Sequence, residues 1–235
     1  MFRLKINYIL IIYMRLLELF CGTKSVGKVF EKNGWEVDSI DYDPQFNPTW
    51  CEDILEWDFQ TIPPQRYDAI WCSPDCSTFS IATSGKYRSV QEPYGKENAD
   101  ENIRRQADIG NRLVEKCIEI IKYFNPDTWY IENPKGLMIH YPPLQEFIAM
   151  GDHNNTQVYY GNYGWLYPKP THIWSNKPLW NKERPPVMPP DTYKLWTDGS
   201  GRTKRYYYDY GNRKAKGRST IPTPLIDRLF ALTES

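Results

Sequence analysis

A thiol and a carboxylic acid each follow an apolar segment of the chain. Cys76 lies in "SPDCSTFS", directly after the apolar run Tyr67–Cys72, and Glu132 ends the run that begins at Thr128. A thiolate is a strong nucleophile, and a carboxyl group can donate or accept a proton. A lone cysteine is often only a small buried side chain, but a carboxylate is seldom buried without a partner. The pair therefore favours covalent catalysis assisted by an acid over simple packing.

The elements that would present this pair alternate along the first two thirds of the chain. The predicted strands are Leu16–Phe20, Glu36–Asp41, Cys51–Ile54, Tyr67–Cys72 and Thr128–Glu132, followed by a paired Gln157–Tyr160 and His172–Trp174. The predicted helices are Val26–Asn33, Asn98–Phe124 and Leu144–Met150. This rhythm predicts an α/β fold with a mostly parallel sheet and helices on both faces. Ligands bind such sheets beyond the carboxyl ends of the strands, where the thiol and the acid are found.

Other candidate binding residues stand at the ends of the first three predicted strands. Gly22 follows the first strand and would let the backbone approach a ligand closely. Asp41 ends the second strand and Asp53 lies in the third; each could accept hydrogen bonds from a nucleoside, although a single Asp is equally common as a turn cap. The chain has no GxGxxG and no phosphate-loop lysine, which disfavours a dinucleotide or a triphosphate. The set predicts an adenosine-containing cofactor.

The composition predicts one substantial domain. A chain of 235 residues can bury a full core without disulfides or metals. Its five cysteines are odd in number and never form CxxC, which favours a reducing, cytoplasmic setting over a secreted one. No apolar run approaches the ~20 residues of a membrane span. We expect a monomer without a metal or a membrane partner, and interpret residues 1–13 as an extension outside the core, with an extra edge strand as the alternative.

A basic and aromatic segment extends from Lys177 to Arg218. It holds eleven basic and four acidic residues, so its net charge is +7 while the rest of this neutral chain carries −7. Tryptophans and tyrosines alternate with the basic residues, and five prolines argue against a regular helix. A solvated surface is one explanation. The mixture is more typical of a segment that binds phosphates and stacks on bases.

Taken in order, the segments resemble the motifs of the cytosine-C5 DNA methyltransferase family. "LLELFCGTKSVGKVF" resembles the first, glycine-containing motif, "SIDYDPQFNPT" and "CEDIL" the acidic second and third, and "WCSPDCSTFS" the Pro-Cys nucleophile motif. "WYIENP", "YGNYGWLYPKPTHIW" and "GRSTIP" are similar to the Glu-Asn, basic and closing motifs. The likeness spans roughly residues 15–230. Each motif is weak alone, but the ordered set is specific.

The resemblance implies a Rossmann-like S-adenosylmethionine-dependent methyltransferase fold with a small basic and aromatic insert. Residues 14–174 would form the catalytic domain, 175–216 a nucleic-acid-contacting region, and 217–235 a return to the catalytic domain. Asp41 would bind the ribose of S-adenosylmethionine and Asp53 the adenine amino group. The rest of the implied cofactor site consists of Phe20, Cys21, Gly22, Thr23, Pro74 and Ser219.

The resemblance also implies the reaction. Cys76 would add to C6 of a cytosine turned out of DNA, and Glu132 would hydrogen-bond or protonate the N3/N4 edge of the base. Lys169 and His172 occupy the basic motif and would place positive charge near a phosphate or the thiolate. A loop over Thr78–Lys96 would close over the base. The expected nucleic-acid contacts are Ser80, Lys86, Arg88, Lys204, Arg205, Arg213 and Lys214.

Three departures from the family pattern bear on activity. Asp75 stands where a proline is expected before the nucleophile, and its negative charge would raise the pKa of the thiol. The basic motif offers a lysine and a histidine where the family usually has arginines. Only about 40 residues separate the basic motif from the closing one, which predicts low or short sequence specificity.

Two other functions fit the same residues. The enzyme could act on RNA, because a basic aromatic segment binds either nucleic acid. It could also be a catalytically silent nucleic-acid-binding module or partner subunit, which the charge of Asp75 favours and the retention of Cys76 and Glu132 opposes. Methyltransferases that act on amino groups are a further alternative, but their motif is a Pro-Pro-aromatic turn. In this chain Cys76 stands where the aromatic residue would be.

Overall fold

A seven-stranded sheet forms the centre of the computed structural model, which describes residues 13–81, 84–151, 153–190, 193–197, 201, 203–207 and 220–235. The strands are β1 (Arg15–Leu19), β2 (Glu36–Asp41), β3 (Trp50–Cys51), β4 (Ala69–Cys72), β5 (Thr128–Pro134), β6 (Asn154–Tyr159) and β7 (Pro170–Ser175). Their order across the sheet is β3-β2-β1-β4-β5-β7-β6. The first five strands pair in parallel, and β7 is antiparallel to both β5 and β6.

Helices cover both faces of the sheet. They are α1 (Ser25–Lys32), α2 (Ser84–Tyr87), α3 (Glu101–Phe124), α4 (Pro142–Ala149) and α5 (Thr223–Thr233). α3 and α4 pack on one face, where Val114, Ile121 and Leu144 share a core with β4 and β5. α1 and α5 pack on the other face, where Phe30 and Leu229 belong to a second core. All four residues of β4 are buried, as expected for a central parallel strand covered on both sides.

A separate two-stranded antiparallel sheet lies within the basic and aromatic segment. It consists of β8 (Tyr193–Thr197) and β9 (Thr203–Tyr207). Lys194 is opposite Tyr206, and Trp196 is opposite Lys204. The prolines excluded a helix here, but this hairpin was not predicted. Arg213, Lys214 and Ser219 lie outside the described residues.

The predicted fold class is confirmed, and the differences lie at element boundaries. β3 ends at Cys51 rather than Ile54, because the Asp53 carboxylate accepts the Leu55 N–H at 3.0 Å and turns the chain. β5 continues to Pro134, because it pairs with β7 along that length. α3 begins at Glu101, because Asp100 caps it through the Ile103 N–H at 3.0 Å. None of the described helices has the length and apolar character needed to cross a membrane.

Candidate active site

A cavity of about 670 Å³ opens at the carboxyl ends of β1, β4 and β5. Its walls are formed by the residues that follow those strands, namely Phe20–Thr23 after β1, Ser73–Ser77 after β4, and Glu132 and Pro134 in β5. Tyr167 and Lys169 close it from the segment before β7, and Ile221 from the segment before α5. Cys76 and Glu132 therefore face one shared space, as the sequence predicts for neighbouring parallel strands.

Cys76 is held at the start of a tight turn. Its carbonyl oxygen accepts the N–H groups of Phe79 at 3.0 Å and Ser80 at 2.9 Å. Asp75 accepts the Ser77 N–H at 3.0 Å and its hydroxyl at 2.6 Å, which fixes the residues on either side of the nucleophile. Burial, followed by the charges of Glu132 and Asp75, raises the pKa of the Cys76 thiol to about 11, and Lys169 opposes this shift. The thiol remains partly exposed at the cavity, unlike the fully buried Cys72.

Glu132 is buried at the wall of the cavity with polar partners. The Tyr160 hydroxyl donates to its Oε1 at 2.9 Å, and the Ser73 side chain also hydrogen-bonds the carboxyl group. Ser73 Oγ in turn accepts the Trp71 Nε1–H at 2.7 Å. Burial raises the pKa of Glu132, against the effects of Lys169, Tyr160 and Ser73. The carboxyl group is therefore disposed to carry a proton and is stabilised when it gives that proton up.

Asn133, the second residue of the Glu-Asn motif, ties the two strand ends together. Its Nδ2 donates to the Pro74 carbonyl oxygen at 3.0 Å, and its side chain is fully buried. This bond joins the end of β5 to the turn that carries Cys76. The Asn133 side chain, which is neither the thiol nor the acid, thus fixes the spacing between Cys76 and Glu132.

Lys169 reaches the cavity from a strained position. Its backbone φ is 33°, in the left-handed region, and its Nζ lies 4.3 Å from the ring centroid of Tyr160 and 5.2 Å from that of Trp165. Burial lowers the pKa of Lys169, and the charges of Glu132 and Cys76 oppose the shift. An ammonium over aromatic rings is stabilised by the negative face of the rings.

His172 does not line the cavity. It pairs across β5 with Asn133, whereas Glu132 pairs with Ile173. Because neighbouring residues of a strand point to opposite faces, His172 and Glu132 lie on different faces of the sheet. The ring stacks on Trp174 at 5.5 Å, and burial lowers the pKa of His172 to about 4. The structure therefore brings Lys169, but not His172, to the thiol and the acid.

The predicted cofactor residues that the structure describes line this cavity and a smaller one beside it. Phe20, Cys21, Gly22, Thr23 and Pro74 line the large cavity, while Asp41 and Asp53 line the small one of about 80 Å³. Phe20 and Asp75 line both, so the two spaces adjoin. Asp41 accepts the Gly22 N–H at 2.9 Å, which joins the ends of β1 and β2. The Phe20 ring borders both cavities, and the carboxylates of Asp41 and Asp53 supply hydrogen-bond acceptors in the smaller one. This arrangement fits an extended adenosine-containing molecule.

Glu18 is a cavity residue that the sequence analysis missed. It is only 2% exposed, although it lines the large cavity. Its Oε2 accepts the Gly27 N–H of α1 at 3.0 Å. Burial raises the pKa of Glu18 to about 8. An acid inside the apolar run "LLELF" is the signal that could have revealed it.

The predicted nucleic-acid contacts are distributed unevenly. Ser80 lines the cavity and Lys86 is exposed on α2. Arg88 is only 1% exposed, and its guanidinium donates to the carbonyl oxygens of Thr78, Pro93 and Ala107 at 2.7 to 3.2 Å. Arg88 is thus enclosed within the protein in this structure. Lys204 and Arg205 lie on β9, away from the seven-stranded sheet.

Solved structures with similar folds are methyltransferases. A methyltransferase of Entamoeba histolytica, EhMeth, aligns with a TM-score of 0.50 at 12% identity, over 74% of this chain and 58% of that chain. A DNA modification methyltransferase encoded within a prophage of E. coli aligns at 0.49 with 13% identity, over 93% of this chain and 69% of that chain. The seven-stranded, mostly parallel sheet with its helices is the S-adenosylmethionine-dependent methyltransferase fold.

A curated relative narrows the class. The chain is 30% identical over 210 residues to a protein of Frog virus 3 (isolate Goorha) that is named a probable DNA (cytosine-5)-methyltransferase. The match covers 82% of this chain and 90% of the relative. No protein-family model matches the chain. The chain belongs to the DNA (cytosine-5)-methyltransferase family, which confirms the resemblance in the motifs.

Proposed function

We propose that this protein transfers a methyl group from S-adenosylmethionine to C5 of cytosine in DNA, through a covalent bond between Cys76 and C6 of the base. The observation that supports this most directly is the shared cavity. Cys76, Glu132 and the Phe20–Thr23 segment all line it. A base and a methyl donor could therefore meet in one enclosed space.

The cofactor would occupy the end of the cavity beneath β1 and β2. Phe20 and Gly22 would contact its methionine part, Asp41 the ribose hydroxyls, and Asp53 the adenine amino group. When bound, S-adenosylmethionine supplies an electrophilic methyl group. The acceptors on Asp41 and Asp53 suit the hydrogen-bond donors of a nucleoside.

The residues of the chain would then make C5 of the base nucleophilic. The Cys76 sulfur forms a bond to C6, and the electron pair of the C5=C6 bond moves toward C5 and the N3 edge. Glu132 donates its proton to N3 and so neutralises the charge that develops there. After methylation, loss of the C5 proton to a base restores the double bond, expels the Cys76 thiolate, and returns N3 and Glu132 to their starting forms.

Access to this cavity requires an unstacked base. The thiol and the acid lie at its wall, where a base held within a duplex cannot reach them, so the target would turn out of the helix at a cost of a few kcal/mol. The segment 78–96 borders the cavity through Ser80 and would close over the base. With only about 40 residues between the basic and closing motifs, we propose that recognition is short or weak in sequence.

A trapping experiment tests the proposal. The protein is incubated with S-adenosylmethionine and duplex DNA that carries 5-fluorocytosine, and a denaturant-resistant adduct is sought. Fluorine cannot leave C5 as a proton does, so the covalent intermediate accumulates. The Cys76→Ala variant should give no adduct, whereas Cys72→Ala should give the wild-type amount because Cys72 is buried in the core. Absence of adduct from the wild type on every nucleic acid, despite cofactor binding, would refute the proposal.

A silent nucleic-acid-binding protein is the second candidate, and the raised pKa of the Cys76 thiol favours it. The same experiment separates the two, since a binding module would retain DNA without forming the adduct. Transfer RNA carrying 5-fluorocytosine, offered in a parallel reaction, distinguishes an RNA enzyme from a DNA enzyme. A DNA enzyme should trap the duplex much faster than the RNA.

A further inference from the structure

Tyr160 contacts two polar residues that stand beside Cys76, namely Glu132 and Lys169. It is fully buried in the turn that follows β6. Its hydroxyl donates to Glu132 Oε1 at 2.9 Å, and the Nζ of Lys169 lies 4.3 Å from the centroid of its ring. Tyr160 is not among the residues that line the cavity, so any effect on the reaction is exerted through these two partners.

We propose that Tyr160 is a positioning residue for the methyl transfer proposed above, on which this inference rests. Its hydroxyl orients the carboxyl group of Glu132 and stabilises the anion that forms when the acid gives up its proton. Its ring holds the Lys169 ammonium between the acid and the thiol. The Tyr160 side chain thus positions both the Glu132 carboxyl group and the Lys169 ammonium group.

The hydroxyl acts as a permanent donor. Burial and the neighbouring Glu132 raise the pKa of Tyr160 well above its ordinary value, so the O–H keeps its proton throughout the working range. Ser73, which accepts from Trp71, is the second hydroxyl bonded to the carboxyl group. Two donors directed at one carboxyl group restrict its rotation, and each stabilises the negative charge more than a bond between neutral groups would.

The ring acts on the cation. Lys169 lies over Tyr160 and Trp165, and the backbone N–H of Tyr160 donates to the Lys169 carbonyl oxygen at 3.3 Å. The ring and the lysine are therefore fixed to each other by both backbone and side chain. Without the ring, the flexible stem of the lysine could move its charge away from Glu132 and Cys76.

Glu183 holds the turn that carries Tyr160. Its Oε2 accepts the Tyr159 N–H at 3.1 Å and the Asn162 side-chain amide at 2.8 Å. A Cβ at Gly161 would lie 2.7 Å from Pro186, so the turn is packed closely against the segment that contains Glu183. The position of the hydroxyl is thus determined by contacts outside the cavity.

The Tyr160→Phe variant tests the hydroxyl while keeping the ring over Lys169. In cofactor-free protein with ¹³C-labelled glutamate, the Glu132 carboxyl signal, assigned with Glu132→Gln, is followed against pH. The groups that face this carboxyl are Lys169, Tyr160, Ser73 and Cys76. Removing a donor to the anion should raise the pKa of Glu132 by about one unit, and adduct formation with 5-fluorocytosine DNA should slow about tenfold. Cofactor affinity should remain within twofold.

Tyr130→Phe is the matched control. Tyr130 is equally buried in the same core, but its hydroxyl donates to the Leu229 carbonyl oxygen at 3.0 Å, away from the cavity. It should lower stability about as much as Tyr160→Phe without moving the Glu132 titration. An unchanged titration in Tyr160→Phe, or an equal loss of adduct rate in Tyr130→Phe, would overturn the inference. If wild type forms no adduct, the proposed function fails, while the carboxyl titration still decides the role of Tyr160.

Discussion

At the scale of single residues, burial and the charges around Cys76 determine how readily its thiol ionises. Its pKa of about 11 reflects burial and two acids, Glu132 and Asp75, opposed by one base, Lys169. Attack requires the thiolate, so each neighbour that changes the pKa changes the fraction of reactive sulfur. Asp75 also makes the hydrogen bonds that shape the turn. Asp75 thus stabilises the turn through these bonds, while its negative charge raises the pKa of the Cys76 thiol.

The Asp75→Asn variant should separate these two effects. The amide keeps an oxygen for the Ser77 N–H but removes the negative charge, so the pKa of Cys76 should fall below about 11. Alkylation by iodoacetamide at pH 8 should then be about 3 to 10 times faster. The measurement uses a Cys51→Ser background, because Cys51 is exposed. Glu132→Gln should also make alkylation of Cys76 faster, and Lys169→Met should make it slower. An unchanged pH profile of alkylation in Asp75→Asn would exclude a charge effect.

The meeting of Cys76 and Glu132 in one cavity could be predicted from sequence, but the residues that support them could not. Cys76 follows β4 and Glu132 lies near the end of β5, and the parallel pairing of these two strands brings both residues to the same edge of the sheet. His172 belongs to the same motif as Lys169, yet strand alternation places it on the other face of the sheet. Tyr160 depends on a turn geometry and on a contact between residues 28 positions apart. Such contacts follow from the packed fold and leave no local pattern.

At the scale of elements, Glu18 joins β1 to α1. Its carboxyl group accepts the Gly27 N–H at the start of the helix, and a Cβ at position 27 would approach that oxygen to 2.6 Å. Gly27 is therefore needed for this close contact between strand and helix. The first motif of the family thus has a structural function in addition to the cofactor contact proposed above.

The burial of Glu18 should make stability depend on pH. Folding raises the pKa of Glu18 from 4.5 to about 8, so between these values the folded state binds more protons than the unfolded state. Stability from this group is fully present below about pH 4.5 and is lost as pH rises to about 8, by an amount on the order of 5 kcal/mol. In urea unfolding at pH 5, 7 and 9, Glu18→Gln should lose less stability across this window than wild type. Parallel curves for the two proteins would contradict the assignment.

Arg88 performs a similar linking function for the segment 78–96. Its guanidinium bonds the carbonyl oxygens of Thr78, Pro93 and Ala107 and also Asn111. Lysine cannot supply this planar set of donors. Arg88→Lys should therefore lower the free energy of unfolding by about 2 to 4 kcal/mol and increase amide hydrogen exchange in 78–96. Lys86→Met, which changes an exposed basic residue of the same segment, should leave both unchanged; protection of 78–96 at the wild-type level in Arg88→Lys would refute the linking role.

At the scale of the whole molecule, the net charge is zero, but positive and negative charge are concentrated in different parts of the chain. The segment 177–218 carries +7 and the remainder −7, so the field that attracts a polyanion is confined to one part of the chain. The sequence predicted this division but missed the β8–β9 hairpin within it, because prolines and glycines flank two short strands. The register of the hairpin gives the charges an order that composition cannot: Lys194 pairs with Tyr206 and Trp196 with Lys204, whereas Arg205 pairs with Leu195.

The cross-strand pairs of the hairpin should contribute unequally to DNA binding. Lys204 pairs with Trp196, and Arg205 pairs with Leu195; a basic residue beside an aromatic one is typical of surfaces that contact phosphates and stack on bases. Affinity for a duplex of about 20 base pairs is measured between about 50 and 200 mM salt. Lys204→Ala should reduce the slope of log K against log salt by about 0.9, the effect of one lost phosphate contact, and Arg205→Ala by less. Lys32→Ala, at the exposed end of α1, should leave the slope unchanged. If Arg205→Ala has the larger effect, the Leu195–Arg205 pair supplies the phosphate contact instead; if neither variant changes the slope, the hairpin does not contact the phosphates.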